Sequence, residues 1–326
     1  MKRSLIVAAI ATAAAGTSFA QSSVTIYGRL NDSVERQKTG DVSKYVLQNN
    51  SSRIGFKGIE DLGGGMKAGF QLEHGFNADD GKQSQTAFWA RQSEVFLQGN
   101  FGTIRLGNFT SEAYYATADY VSMHNHDTGT SSDMLYNYVS RDRNKIAYRL
   151  PEIVKGMSVE GAVSLGEAAQ GPTPYDTDRS YDAAINYAAG NLALGFGYAK
   201  NNQDWQMGLR ALYTLGDFTF GGYYQHAELG TAFSPADGKV DTFRLSGMYA
   251  LGASEFHLNV GIAGKVDKVG ETDAKQATVA YNYNLSKRTK VYAFYTKVDN
   301  KALAGYFTGA PGSDFSSFAL GVRHNF

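Results

Sequence analysis

The sequence predicts an all-β fold, a closed antiparallel transmembrane β-barrel of sixteen strands. Three observations carry this reading. Apolar and polar residues alternate in runs spread over most of the chain, and the connections between runs are alternately short and long. The third is the final stretch, Phe318-Ala-Leu-Gly-Val-Arg-His-Asn-Phe326, which places Phe318, Leu320, Val322, His324 and Phe326 on one face, because side chains alternate along a strand. An uncovered apolar strand is an aggregation template in a soluble protein. It makes sense where that face meets lipid and both strand edges are paired.

The predicted strands lie at 23–35, 52–60, 66–75, 87–98, 103–109, 144–150, 157–165, 180–188, 191–200, 204–214, 217–227, 240–250, 255–265, 275–285, 289–298 and 315–326. Their period is clean in places. Leu192, Leu194, Phe196 and Tyr198 alternate with Ala193, Gly195 and Gly197, and Phe256, Leu258, Val260 and Ile262 alternate with His257, Asn259 and Gly261. Runs of about ten residues, tilted by roughly 35–45°, cross an apolar band of about 25 Å.

Gly63-Gly64-Gly65, Gly99-Asn100-Phe101-Gly102, Ala189-Gly190, Leu215-Gly216, Leu251-Gly252 and Ser286-Lys287-Arg288 read as tight hairpin turns, with glycine supplying positive φ where a turn needs it. Longer polar stretches lie near 36–51, 76–86, 110–143, 166–179, 228–239, 266–274 and 299–314, and the connection at 201–203 is the short exception. Short turns on one side and long loops on the other are the outer-membrane pattern, and an even strand number returns both termini to the periplasmic side. Tyr181, Tyr187, Tyr213, Tyr224, Tyr249, Tyr281 and Tyr283 sit near strand ends at alternating positions, suited to the interfacial girdles where a ring meets lipid and its hydroxyl meets water.

Lys2 and Arg3, the apolar run Leu5–Ala15 and Ser18-Phe19-Ala20 predict a cleaved secretory signal peptide over residues 1–20, with the mature barrel domain at 21–326. The apolar run is too short for a spanning helix. Without residues 1–20 the chain has 29 Lys+Arg against 31 Asp+Glu, a formal charge of −2, so no general affinity for nucleic acid is expected. With no Cys, the exported chain carries neither disulfides nor thiolate zinc sites. Mean hydropathy is −0.33 despite 21 Tyr and 19 Phe, as expected where lipid-facing residues alternate with polar lumen residues.

Ser22-Ser-Val-Thr-Ile-Tyr-Gly-Arg29 and the block from Ser52-Arg-Ile-Gly-Phe-Lys-Gly through Ala68-Gly-Phe-Gln-Leu-Glu73 resemble the opening of Gram-negative general porins. Gly99-Asn-Phe-Gly-Thr-Ile-Arg-Leu-Gly107 and Gly321-Val-Arg-His-Asn-Phe326 fit the same family, of the Burkholderia, Bordetella and Neisseria type. The resemblance implies a trimer in the outer membrane, with the third long loop, here 110–143, folded into the pore. It implies passive diffusion of inorganic ions and small hydrophilic solutes, with no cofactor.

A barrel of this size leaves an aqueous channel, whose selectivity is set by width and lining charge. By match to the family, Arg29, Arg53 and Arg91 form a basic ladder at the constriction, Arg91 on the condition that Phe96 faces outward. Strand parity adds Arg105 and, on the sixth strand, Arg143, Lys145 and Arg149 opposite Ile146, Tyr148 and Leu150. The inserted loop offers Glu112, Asp119, Asp127 and Asp133 as the facing acids. The chain departs from the family at Gly107-Asn108-Phe109, where a basic residue is common, and lacks the Pro-Glu-Phe-Gly-Gly loop tip of enterobacterial relatives.

His124-Asn125-His126-Asp127 reads as a solvated loop cluster rather than a metal site, and no phosphate loop or Gly-x-Ser-x-Gly elbow is present. Two alternatives to a general diffusion channel stand beside it. One is a substrate-specific channel on the same scaffold, to which Tyr27, Tyr223 and Tyr292 could contribute; the other is an outer-membrane enzyme or adhesin.

Overall fold

The computed structural model describes residues 23–119, 129–166, 178–230, 237–267 and 269–326. The expected leader, Asp127 and the His124/His126 pair lie outside the described residues, as does the side chain of Asp119.

Among the described residues, seventeen strand segments form one antiparallel sheet. They are β1 (Ser23–Thr39), β2 (Val42–Asn49), β3 (Arg53–Gly63), β4 (Met66–Gly75), β5 (Gln92–Gly99), β6 (Gly102–Asn108), β7 (Lys145–Arg149), β8 (Met157–Ser164) and β9 (Ser180–Ala189). There follow β10 (Leu192–Asn201), β11 (Asp204–Leu215), β12 (Phe218–Leu229), β13 (Gly238–Leu251), β14 (Ser254–Ala263), β15 (Ala274–Asn284), β16 (Thr289–Asn300) and β17 (Phe315–Asn325). Segments β2 and β3 are two lengths of one wall strand, since both pair with β1; they are separated at Asn50–Ser52, where Ser51 takes a left-handed φ of 60°. The wall is thus the sixteen-stranded barrel that the sequence predicts.

Closure is by β17 on β1, in register from Thr39↔Phe315 to Arg29↔Asn325. Beyond that register Gly28 and Phe326 exchange backbone hydrogen bonds of 3.0 and 3.1 Å. The last residue is therefore part of the ladder, and the edge that would template aggregation is consumed. Its ring covers Gly28, where a Cβ would stand 2.3 Å from a Phe326 ring carbon.

The two faces of the wall invert the usual distribution of a soluble protein. Val24, Ile26, Leu30 and Val34 of β1, and Phe318, Leu320 and Val322 of β17, are exposed. Asn31, Ser33, Glu35 and Gln37, on the opposite face of β1, are buried. The apolar exterior can shed water only into lipid, which fits an outer-membrane barrel. Near one rim the outward rings of Phe218, Tyr249, Phe256 and Tyr281 follow one another across β12 to β15, with centroids 4.5, 6.4 and 5.2 Å apart. This row contains Tyr249 and Tyr281, two of the seven tyrosines expected in such a girdle.

Three local readings change. The stretch 36–51 is largely strand rather than loop, because β1 runs on to Thr39 and returns through β2. There the outward positions are the charged Arg36 and Lys38, alternating with inward Glu35 and Gln37, so the hydrophobic alternation that marks a membrane strand is lost. Pairing of the fourth wall strand starts at Gln92, not 87. Residues before it pack on the outer face instead: Phe88 stacks on His74 at 4.0 Å and Trp89 meets Phe56 at 6.2 Å. Finally, Phe96 faces inward, over Gly69, while Val95 and Leu97 take the outer face.

Candidate functional site

The long connection between β6 and β7, residues 109–144, carries most of the chemistry on the inner face. Its outgoing limb begins at Ser111, whose hydroxyl accepts the Ala113 N–H and caps a short helix, α1 (Glu112–Tyr114), which runs on into a π-helical turn over Tyr115–Asp119. This limb lies on inward glycines of β10 and β11. A Cβ at Gly195 would stand 1.8 Å from the Ala116 carbonyl oxygen, one at Gly197 2.4 Å from that of Ala113, and one at Gly208 2.8 Å from Thr117. Only a bare backbone lets the helix approach so closely. Gly195→Val is accordingly expected to lift the outgoing limb off the wall, read as new protease cleavage within 112–119 in folded, membrane-inserted protein. Continued protection of that segment would show the glycine seat to be dispensable.

The return limb is held by glutamines. Gln276 accepts the Met134 N–H at 3.0 Å and donates to the Ser132 carbonyl at 2.8 Å. Gln225 does the same for both backbone groups of Asn137, at 2.9 and 2.8 Å, and Gln206 accepts the Val139 N–H at 3.1 Å. Between these clamps Leu135 and Val139 are fully buried in two small apolar clusters against the wall. Further out, Thr130 donates to Glu35 of β1 at 2.8 Å, and Ser33, Gln37 and Ser317 donate to the same carboxylate. Neither the glycine seat nor the glutamine clamps are visible in local sequence, although inward parity on β10–β12 and β15 marks their positions.

The basic residues divide into two groups. Arg29 and Arg53 are direct cross-strand partners on β1 and β3, and Arg29 donates to the Asn325 side chain at 3.2 Å. Arg91 and Arg53 both approach Glu73 Oε1, at 2.6 and 3.8 Å. The parity argument for Arg91 fails with Phe96, yet Arg91 reaches this site from the bend before β5. Nearby, Gln71 donates to the Tyr27 hydroxyl, and the Lys57 ammonium lies 5.4 Å from the Tyr27 ring centroid.

In the second group Arg105 bridges Glu94 at 2.8 Å and Glu160 at 3.2 Å, and Arg149 binds Glu160 at 2.9 Å and Glu112 at 2.8 Å. Phe109, buried, carries Arg105 on its ring at 4.0 Å and Lys145 at 5.5 Å. The departure at Asn108-Phe109 therefore supplies a cation–π seat in place of a further cation. Lys145 also pairs with Asp182 at 3.1 Å. Arg143 is not with these groups: it lies in the bend before β7 and is exposed.

The loop acids that can be placed are anchors. Glu112 is tied to Arg149 and accepts from Asn186. Asp133 binds Arg244 at 2.6 Å and accepts from the Tyr223 hydroxyl at 2.5 Å. Among the described residues, the acids paired with Arg53, Arg91 and Arg105 are on the wall itself: Glu73, Glu94 and Glu160. Reading each strand separately could not assign them, because each partner sits on another strand. Among the described residues no group of three or more His, Asp or Glu is placed to hold a metal.

The comparisons agree with this architecture. The family model described as Gram-negative porin matches residues 7–303. The outer membrane porin protein 32 of Delftia acidovorans is 31% identical over the whole of both chains. An outer-membrane porin of Bordetella pertussis is 26% identical, again over both whole chains. Among solved structures, the anion-selective porin from Comamonas acidovorans superposes with a TM-score of 0.77 at 27% identity, covering 94% of this chain and all of that one.

Proposed function

The chain belongs to the Gram-negative porins, and from that premise we propose that it forms a water-filled outer-membrane channel for passive diffusion, with a preference for small anions. The single observation that carries the reading is the polar inner face of a closed barrel, against which the 109–144 segment is fixed by Glu35, Gln206, Gln225 and Gln276. That segment narrows the lumen. Its relatives are channels rather than enzymes, and this chain too works without catalysis.

The anion preference follows from the pairing of charges. Arg53 and Arg91 converge on Glu73, and Arg29 and Lys57 lie beside them. The loop acids Glu112 and Asp133 are meanwhile spent on Arg149 and Arg244. Arg29, Arg53, Arg91 and Arg105 line the constriction in this reading, and Arg143 stands apart. The nearest test is single-channel current in a planar bilayer under a salt gradient: ohmic current with an anion-selective reversal potential is expected. A cation-selective potential would overturn the charge assignment while leaving the channel.

Burial pushes the Glu112 carboxyl above the usual carboxylate range, although Arg149 pulls it back. The raised value means that Glu112 loses its negative charge early as pH falls, and regains it only once pH rises through that raised value. Acidification from neutral into the range where Glu112 takes up its proton is therefore expected to strengthen anion selectivity. A reversal potential constant over that window would show Glu112 to be electrically silent.

Export requires removal of residues 1–20, so the mature N-terminus is expected at Gln21; intact mass of the outer-membrane protein checks this. The protein assembles as a trimer in this proposal. Asp32 supports it, because its carboxylate lies on the outward face between Leu30 and Val34, where lipid tails cannot solvate it and a neighbouring subunit can.

A further inference from the structure

We propose that Tyr114, Tyr115, Tyr136 and Tyr138 form a stacking site for aromatic carboxylates within the channel, with Arg149 of the wall as the charge partner. The inference rests on the channel reading above and adds a ligand class to it.

The segment has two faces. On the return limb Leu135, Asn137 and Val139 are buried against the wall, while the alternate residues Tyr136 and Tyr138 remain partly exposed. On the outgoing limb Ala113, Ala116 and Thr117 sit on the glycine seat, and Tyr114 and Tyr115 remain partly exposed. A segment with one face on the inner wall of a hollow barrel turns its other face to the lumen. Tyr114, Tyr115 and Tyr138 therefore keep exposed edges on the lumen side, and Tyr136 joins them from the wall, where its ring meets Tyr223 at 5.5 Å.

They form one patch centred on Tyr114, whose ring lies 5.9 Å from Tyr115, 5.5 Å from Tyr136 and 5.5 Å from Tyr138. Two of the hydroxyls are fixed from behind. Tyr138 donates to Asp142, and the Tyr136 hydroxyl is engaged by Thr117 and Gln206. Rings held in this way lose little freedom when a ligand stacks on them.

One cation is joined to the helix that carries the patch, shared between Glu112 and Glu160. Glu112, next to Ala113 and Tyr114 on α1, holds Arg149, whose side chain is 38% accessible against 26% for Arg91 and 15% for Arg53. A guanidinium binds a carboxylate through paired N–H donors, and an aromatic ring gains further from offset or edge contact with tyrosine. A flat aromatic acid uses both features. An aliphatic acid of equal charge uses only the first.

The experiment measures block of KCl current through the purified, bilayer-inserted protein by benzoate and by cyclohexanecarboxylate, which match in charge and closely in size. KCl current is recorded first, and its absence would overturn the channel reading and the site with it. With current present, benzoate is expected to bind about three- to tenfold more tightly than cyclohexanecarboxylate, the scale of one aromatic contact. Tyr114→Ala and, separately, Tyr115→Ala are expected to bring the two acids toward equal affinity, and Arg149→Gln to weaken both. Equal affinities in the unaltered protein would overturn the proposal, as would a benzoate preference retained in both tyrosine variants. If Tyr114→Ala fails to insert, the unaltered protein and Tyr115→Ala decide the matter.

Discussion

Replacing Asp133 by Ala is expected to raise single-channel conductance and to make the open current noisy, with the barrel intact. Asp133 holds the return limb to β13 through Arg244 at 2.6 Å and to β12 through the Tyr223 hydroxyl. The Arg244 side chain is 1% accessible. Removing the carboxylate alone strands a buried guanidinium, a change that costs about 3–5 kcal/mol. The barrel strands are bound by continuous backbone ladders, whereas residues 132–139 of the limb hang on side-chain hydrogen bonds from Gln206, Gln225 and Gln276. The cost therefore falls on the limb, which yields first. Removing both partners, as Asp133→Ala with Arg244→Met, leaves no charge unpaired and is expected to be milder than Asp133→Ala alone. Conductance and noise unchanged in Asp133→Ala would mean that the limb does not set the channel width.

The second large effect is on selectivity. Arg53→Glu together with Arg91→Glu turns two cations into anions beside Glu73, within reach of Arg29 and Lys57. The reversal potential under a salt gradient is expected to change sign, from anion to cation preference, because lining charge at the narrowest point decides which ion enters. Arg53→Lys with Arg91→Lys keeps the charge and is expected to keep the sign. If the glutamate exchange leaves the potential where it was, selectivity is set elsewhere, and the Arg105/Arg149 group becomes the place to look. High salt shrinks either effect, since the screening length is about 10 Å at 0.1 M and about 3 Å at 1 M.

The two variants probe features that differ in how far the sequence reveals them. Arg53 could be placed on the inner face from its own strand, because Ile54 and Phe56 beside it point outward by simple parity. Parity places Arg91 inward only if Phe96 faces outward; Phe96 faces inward, the strand begins at Gln92, and the bend before it carries the guanidinium to Glu73. Asp133 could be named as a loop acid, but its partner on β13 stands 111 residues away in the chain. Sequence separation of that size carries no local pattern to read. Glu160 stands 55 residues from Arg105 and escaped for the same reason, whereas Glu94 is only 11 away but meets Arg105 across a strand pair whose register decides the contact.

The sequence by itself determined the barrel. Alternation with period two sorts each strand into an apolar and a polar face. Turn residues set which connections are short, and the terminal strand with Phe326 supplies the edge that closes on β1. These are local properties, written within about ten neighbouring residues and enforced everywhere by the same requirement that backbone groups in lipid be paired. Only the tertiary structure decided what packs on the inner wall. It brought Ala113 and Ala116 onto Gly197 and Gly195, set Gln276 under Ser132, and spent Glu112 and Asp133 on Arg149 and Arg244. Charge at the constriction is a difference between groups that meet only after the barrel has closed, so no stretch of the chain holds it alone.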